Sequence, residues 1–132
     1  MRVVVDTNVL VSALIGHGKP RRLLTQLLEG HQVVSSRQML AELADVLSRE
    51  KFMEVDKSQV SSFLSILASK VVLVTVKKPF TTVTGDPDDD MVLSTAYEGK
   101  ATHIVSGDRH LLNLKRFSGI RIVAVNEMLQ LL

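Results

Sequence analysis

Five short apolar runs, at residues 3–5, 32–35, 71–74, 102–105 and 120–124, lie between stretches whose apolar residues return every three or four positions. No other feature limits the fold as tightly. The runs are β-branched and nearly continuous, Val3-Val4-Val5 being the clearest. Strands of that kind are buried on both faces, which happens in parallel sheets whose crossover helices cover both sides. The intervening stretches read as helices. Thr7 or Asn8 can cap the first, which carries Val9, Leu10, Ala13 and Leu14 and is broken by Gly16-His17-Gly18-Lys19-Pro20. A second covers 21–29 and closes at Gly30. A third starts at Ser36 and carries Met39, Leu40, Leu43, Val46 and Leu47. Others cover 58–69, Asp86-Pro87 to Glu98, and 126–131. The pattern predicts an α/β class, three-layer α/β/α sandwich built on a five-stranded parallel sheet. With 132 residues and no repeat, low-complexity tract or linker, residues 1–132 are expected to form one domain.

Composition removes several chemistries. There is no cysteine, so disulfide frameworks, thiolate metal sites and cysteine nucleophiles are absent. His17, His31, His103 and His110 lack metal-ligand spacing, and no nucleophile elbow, dinucleotide fingerprint or phosphate-binding Gly-rich loop occurs. One Tyr, no Trp and four Phe are too few for a base-stacking platform, so contact with nucleic acid is expected through phosphate. Lys19, Arg21 and Arg22, with Lys77 and Lys78, are the candidate phosphate contacts. No apolar window reaches membrane-spanning length, and the amino terminus turns acidic too soon for a signal peptide; a cytoplasmic protein with no membrane partner is expected.

In parallel sheets the functional crevice lies beyond the carboxyl ends of the strands, so the residues that follow each strand matter most. Strand one ends in Asp6, and strand four in Ser106-Gly107-Asp108. Asp86-Pro87-Asp88-Asp89-Asp90 opens the helix before strand four, and Glu42 flanks the apolar stripe of the third helix. Each acid alone reads as a helix cap or a solvated charge. Together they crowd one edge, where like-charge repulsion and desolvation are costly unless a cation lies between them. A site of carboxylates and waters suits Mg²⁺ or Mn²⁺.

Val3-Val4-Val5-Asp6-Thr7-Asn8, Glu42, Asp86-Pro87-Asp88-Asp89-Asp90 followed by Met91-Val92-Leu93-Ser94-Thr95-Ala96, and Ile104-Val105-Ser106-Gly107-Asp108 resemble the PIN-domain nucleases, and among them the VapC-like toxin components of prokaryotic toxin–antitoxin pairs. The resemblance covers essentially the whole chain. It implies a sheet order of 3-2-1-4-5, Mg²⁺- or Mn²⁺-dependent endonucleolytic cleavage of single-stranded RNA leaving a 5′ phosphate and a 3′ hydroxyl, and an antitoxin partner. A homodimer is a further expected association. Asp6, Glu42 and Asp90 match the three core acids and Asp108 the fourth, as catalytic residues and metal ligands alike. Counting back from strand four favours Asp90 for the third acid, with Asp89 the alternative one residue away. Thr7, Asn8 and Ser106 match the small polar positions beside the acids.

Two other classes compete. A receiver-like Mg²⁺-binding signalling module shares the sandwich, but it needs paired acids after strand one and an acid after strand three. Here Asp6 stands alone, and Thr75-Val76-Lys77 follows strand three. A catalytically weak PIN-like scaffold that binds RNA or a partner is the other. The overall charge bears on both. Sixteen basic residues against fourteen acidic ones give +2, but setting aside Asp6, Glu42, Asp90 and Asp108 as neutralised by metal leaves +6 on the rest of the surface.

Overall fold

The computed structural model describes residues 1–81 and 83–132, so Thr82, in the polar connection after strand three, lies outside the described residues. The strands are β1 (Arg2–Val5), β2 (Gln32–Ser36), β3 (Val72–Val74), β4 (His103–Val105), β5 (Arg116–Phe117) and β6 (Ile120–Val123). They form a sheet of order β3-β2-β1-β4-β6-β5. All pairings are parallel except the last. The expected 3-2-1-4 parallel core is present, and the expected fifth strand is β6. The added β5 folds back on β6 through Ser118 and Gly119, whose φ angles of 49° and 79° both lie in the left-handed region that a two-residue hairpin turn demands.

The helices are α1 (Thr7–Ile15), α2 (Lys19–Gly30), α3 (Arg37–Leu47), α4 (Lys57–Lys70), α5 (Pro87–Glu98), α6 (Arg109–Leu112) and α7 (Val125–Leu131), with a 3₁₀ turn at Glu50–Phe52. Alternation along each strand divides the core in two. Val3, Val5, Val33, Val105 and Val123 pack with Leu10 of α1, Leu23 and Leu27 of α2, Leu67 of α4 and Met128 of α7. Val4, Val34, Ile104 and Ile122 face the other way, onto Val92, Leu93 and Ala96 of α5. Helix α3 joins the two layers, giving Met39 to the second and Leu43, Val46 and Leu47 to the first. Its position across one end of the sheet carries Glu42 toward the strand termini.

Parallel topology gathers helix beginnings at that same end. Asp6 precedes α1 and accepts from Thr7 N at 2.8 Å. Ser36 caps α3, accepting from Met39 N at 3.3 Å. Asp86 caps α5 through Asp88 N at 2.9 Å, with Pro87 at the first helical position. Asp108 caps α6 through His110 N at 2.7 Å. These caps satisfy orphan amides, and the positive ends of the helix dipoles favour the negative charges. Close packing holds the elements together. A Cβ on Gly99, which follows α5, would overlap Val34 Cγ1 of β2, so the helix end approaches the sheet only because that residue is glycine.

Candidate active site

Asp6 is the centre of the acidic edge. Its backbone amide donates to Val105 O at 2.9 Å, which ties the residue to the end of β4. Its carboxylate is buried and held from two sides, Oδ1 by Thr7 N and Oδ2 by the Ser106 hydroxyl at 2.7 Å. The Ser106 hydroxyl in turn accepts from Asp108 N at 3.0 Å. One fully buried serine therefore fixes the relative placement of the two strand-end acids, Asp6 and Asp108. Thr7, also buried, donates from Oγ1 to Glu42 Oε2 at 3.4 Å, linking α3 to the same cluster. Asn8 is exposed and makes no side-chain hydrogen bond among the described residues.

Asp89 and Asp90 are both buried at the first turn of α5, but their surroundings differ. Asp90 Oδ1 accepts from Thr84 N at 2.9 Å and from Thr84 Oγ1 at 3.0 Å, and its carbonyl accepts from Ser94 Oγ at 2.8 Å. Its carboxylate is engaged in holding the β3–α5 connection. Asp89 Oδ2 is buried with no hydrogen-bond partner. Burial pushes the Asp89 carboxyl up to about 7, and the charges of Asp108, Asp86 and Asp6 push in the same direction. Those three acids are therefore within electrostatic reach of Asp89. Asp6 is also raised, first by burial and then by Asp108 and Asp86, against the lowering effect of its bonds from Ser106 and Thr7. Glu42 is raised to about 6 by burial, with Asp88 and Asp6 adding to the effect.

The structure thus brings Asp89 within electrostatic reach of Asp108, Asp86 and Asp6, and Glu42 within reach of Asp88 and Asp6. The positions of Asp86 and Asp88 have a sequence signal, the five-residue acidic opening of α5, but nothing in that run separates capping from site charge. Among the described residues no three His, Cys, Asp or Glu side chains stand close enough to clasp an ion as they are. The donor set nevertheless fits a hard divalent cation: every candidate ligand is a carboxylate, one buried oxygen is unpartnered, and a cation would offset the neighbouring charges that push Asp6, Glu42 and Asp89 up.

The basic candidates divide. The Arg21 guanidinium donates to Ala13 O at 2.8 Å and Leu14 O at 2.5 Å and meets His17 Nδ1 at 2.6 Å, so it closes the end of α1 and is not free to reach phosphate. Lys19 and Arg22 are exposed and line a recess with Asn126, Leu129 and Gln130 of α7. Lys77 and Lys78 are exposed in the β3–α5 connection. No helix among the described residues is long and apolar enough to cross a membrane.

Comparison with known proteins adds three findings. The family model described as PIN domain matches residues 2–110. The chain is 31% identical over 119 residues to the uncharacterized protein MJ1680 of Methanocaldococcus jannaschii, an alignment covering 87% of this chain and 76% of that one. Two solved structures share the fold. One is a chain of VapBC2 from Rickettsia felis, solved bound to a DNA fragment from its promoter, with a TM-score of 0.66 and 21% identity over 94% of this chain and 98% of that one. The other is PAE2754 from Pyrobaculum aerophilum, with a TM-score of 0.71 and 16% identity over 99% and 89%.

Proposed function

The chain belongs to the PIN-domain family, and on that premise we propose that it is a metal-dependent endoribonuclease that hydrolyses phosphodiester bonds of single-stranded RNA as the toxin of a toxin–antitoxin pair. The observation that carries this reading is the unpartnered, buried Asp89 Oδ2, whose carboxyl is pushed up by burial and by the charges of Asp108, Asp86 and Asp6. Carboxyls buried and crowded in this way cost stability, and such clusters concentrate at functional sites. The likeness to a VapBC2 chain supports an antitoxin as the partner.

Asp6, Asp89 and Asp108 are the residues we assign to holding Mg²⁺ or Mn²⁺, with Glu42 as the fourth acid. Asp89 replaces Asp90, because Asp90 is already bonded to Thr84. When bound, the ion supplies charge neutralisation at the phosphoryl group and acidification of water. The protein's own part is placement. Ser106 and Thr7 N orient the Asp6 carboxylate, and Ser106 sets the start of α6 through Asp108 N. Glu42, raised to about 6, can accept a proton near neutral pH from a water in the site. The scaffold reading is the alternative, in which the acids bind without cutting.

The test is incubation of labelled single-stranded RNA with Mn²⁺ or Mg²⁺ against an EDTA control. Cleavage that EDTA stops and that Asp6→Asn abolishes is the expected result. Cleavage that persists unchanged in Asp6→Asn overturns the assignment. Binding of RNA with no cleavage under any metal condition favours the scaffold.

A further inference from the structure

We propose that the cleft between the β5–β6 hairpin and α7, walled by Lys115, Arg116 and Arg121, binds the phosphodiester backbone of the single-stranded RNA; this rests on the nuclease reading above. Arg116 and Arg121 are directly opposed partners of the antiparallel pair. Opposed residues project from the same face of a two-stranded ribbon with their Cβ atoms about 5 Å apart, and like charges there are destabilising. Among the described residues neither arginine, nor Lys115 beside them, makes an ion pair or a side-chain hydrogen bond. An unrelieved cationic pair is what a polyanion would relieve.

The cleft has room for such a ligand. It measures about 700 Å³, and the three cations face a single acid, Glu127 of α7, among its lining residues. The sequence around it is one-sided: from Arg109 to Asn126 there are Arg109, Lys115, Arg116 and Arg121 and no acid. The field reaches the neighbouring strand, where Arg121 is in register with His103 of β4. Burial, and after it the Arg121 charge, hold that imidazole below its ordinary range.

Position connects the cleft to the acidic edge. Val123 O accepts from Ser106 N at 3.0 Å, so the end of β6 adjoins the strand end that carries Asp108. Arg121, in register with Val3 through His103, lies three residues back from the level of Asp6, about 10 Å at the usual rise per strand residue, and on the layer of α7, whereas Asp89 stands on that of α5. An RNA strand that reaches both extends several nucleotides beyond the scissile phosphate. Contact of this kind fixes position and carries no sequence preference.

The experiment measures binding of a fluorescent single-stranded RNA by the full chain in EDTA, where binding is read without cleavage, across a series of salt concentrations. Arg116→Gln with Arg121→Gln is expected to weaken binding severalfold and to reduce the slope of log affinity against log salt by about 1.4, two phosphate contacts at about 0.7 each. Its melting temperature is expected to be unchanged or higher, since an unfavourable pair has been removed. Arg116→Lys with Arg121→Lys keeps the slope. A slope unchanged in the glutamine variant overturns the proposal, and so does an equal loss in Lys57→Gln with Lys70→Gln, which removes the same charge from α4. Loss of affinity for a polyglutamate peptide with RNA binding intact overturns it in favour of an acidic protein segment. Wild-type cleavage with an unchanged slope discards the cleft and keeps the nuclease; the expected slope change without any wild-type cleavage does the reverse.

Discussion

Asp89 and Asp90 differ by one position and by about 100° around the same helix, and that angle separates two kinds of chemistry. Asp89→Asn is expected to lower metal-dependent cleavage by about a hundredfold or more, the scale of losing several kcal/mol of charge stabilisation. Asp90→Ala leaves Thr84 N without its acceptor and Thr84 Oγ1 with Asp86 O alone, and is expected to destabilise the fold by about 1–3 kcal/mol in urea titrations. The pH dependence of Asp89 has a definite sign. Its folded value of about 7 lies above the ordinary 3.8, so between those values the folded chain binds the extra proton and stability falls as pH rises. The metal-free protein should lose melting temperature from about pH 4 to about pH 7, and Asp89→Asn should flatten that slope and raise the melting temperature at neutral pH. A slope equal to wild type in the variant would contradict the assignment. The sequence marks the acidic opening of α5 but not which residue turns inward, because that depends on Thr84 folding back onto one carboxylate. Arg21 is a similar case: its charge is visible in sequence, its three partners at the end of α1 are not.

At the scale of elements, the parallel strands are legible because residues buried on both faces must be apolar without alternation, as Val3-Val4-Val5 is. Helix starts are legible for an equally local reason, since Ser36, Asp86 and Asp108 cap the helices that follow them. The hairpin strand β5 is not. Arg116-Phe117 is two residues long and shows neither alternation nor a β-branched run; its pairing comes from the Ser118-Gly119 turn and from contact with β6. Packing between elements is hidden in the same way at Gly99. Gly99→Ala is expected to cost about 1–3 kcal/mol, read as a lower urea midpoint, because α5 and β2 must separate to admit one methyl group. Ser36→Ala should cost about 1–2 kcal/mol, since the hydroxyl both caps α3 and meets Thr95 Oγ1 of α5 at 2.9 Å in the core.

Across the whole molecule, the sheet and its caps converge a set of carboxyls whose repulsion a cation would remove. Mn²⁺ is expected to raise the melting temperature, more at pH 7.5 than at pH 5 because the ligands must be ionised, and EDTA should reverse the gain. An equal gain in Asp6→Asn would place the ion elsewhere. The acidic character of this edge is readable in sequence only through the sheet order, which places β1 beside β4 and so joins residues a hundred positions apart.

That separation has a consequence for the order of events during synthesis. Asp6 leaves the ribosome a hundred residues before its serine partner, with Asp108 later still, and the β1–β4 pairing cannot form before then. A nascent chain shorter than that carries Asp6 without Ser106 and Asp108 beside it. A chain of this topology therefore gathers its strand-end acids only once its last strands have emerged.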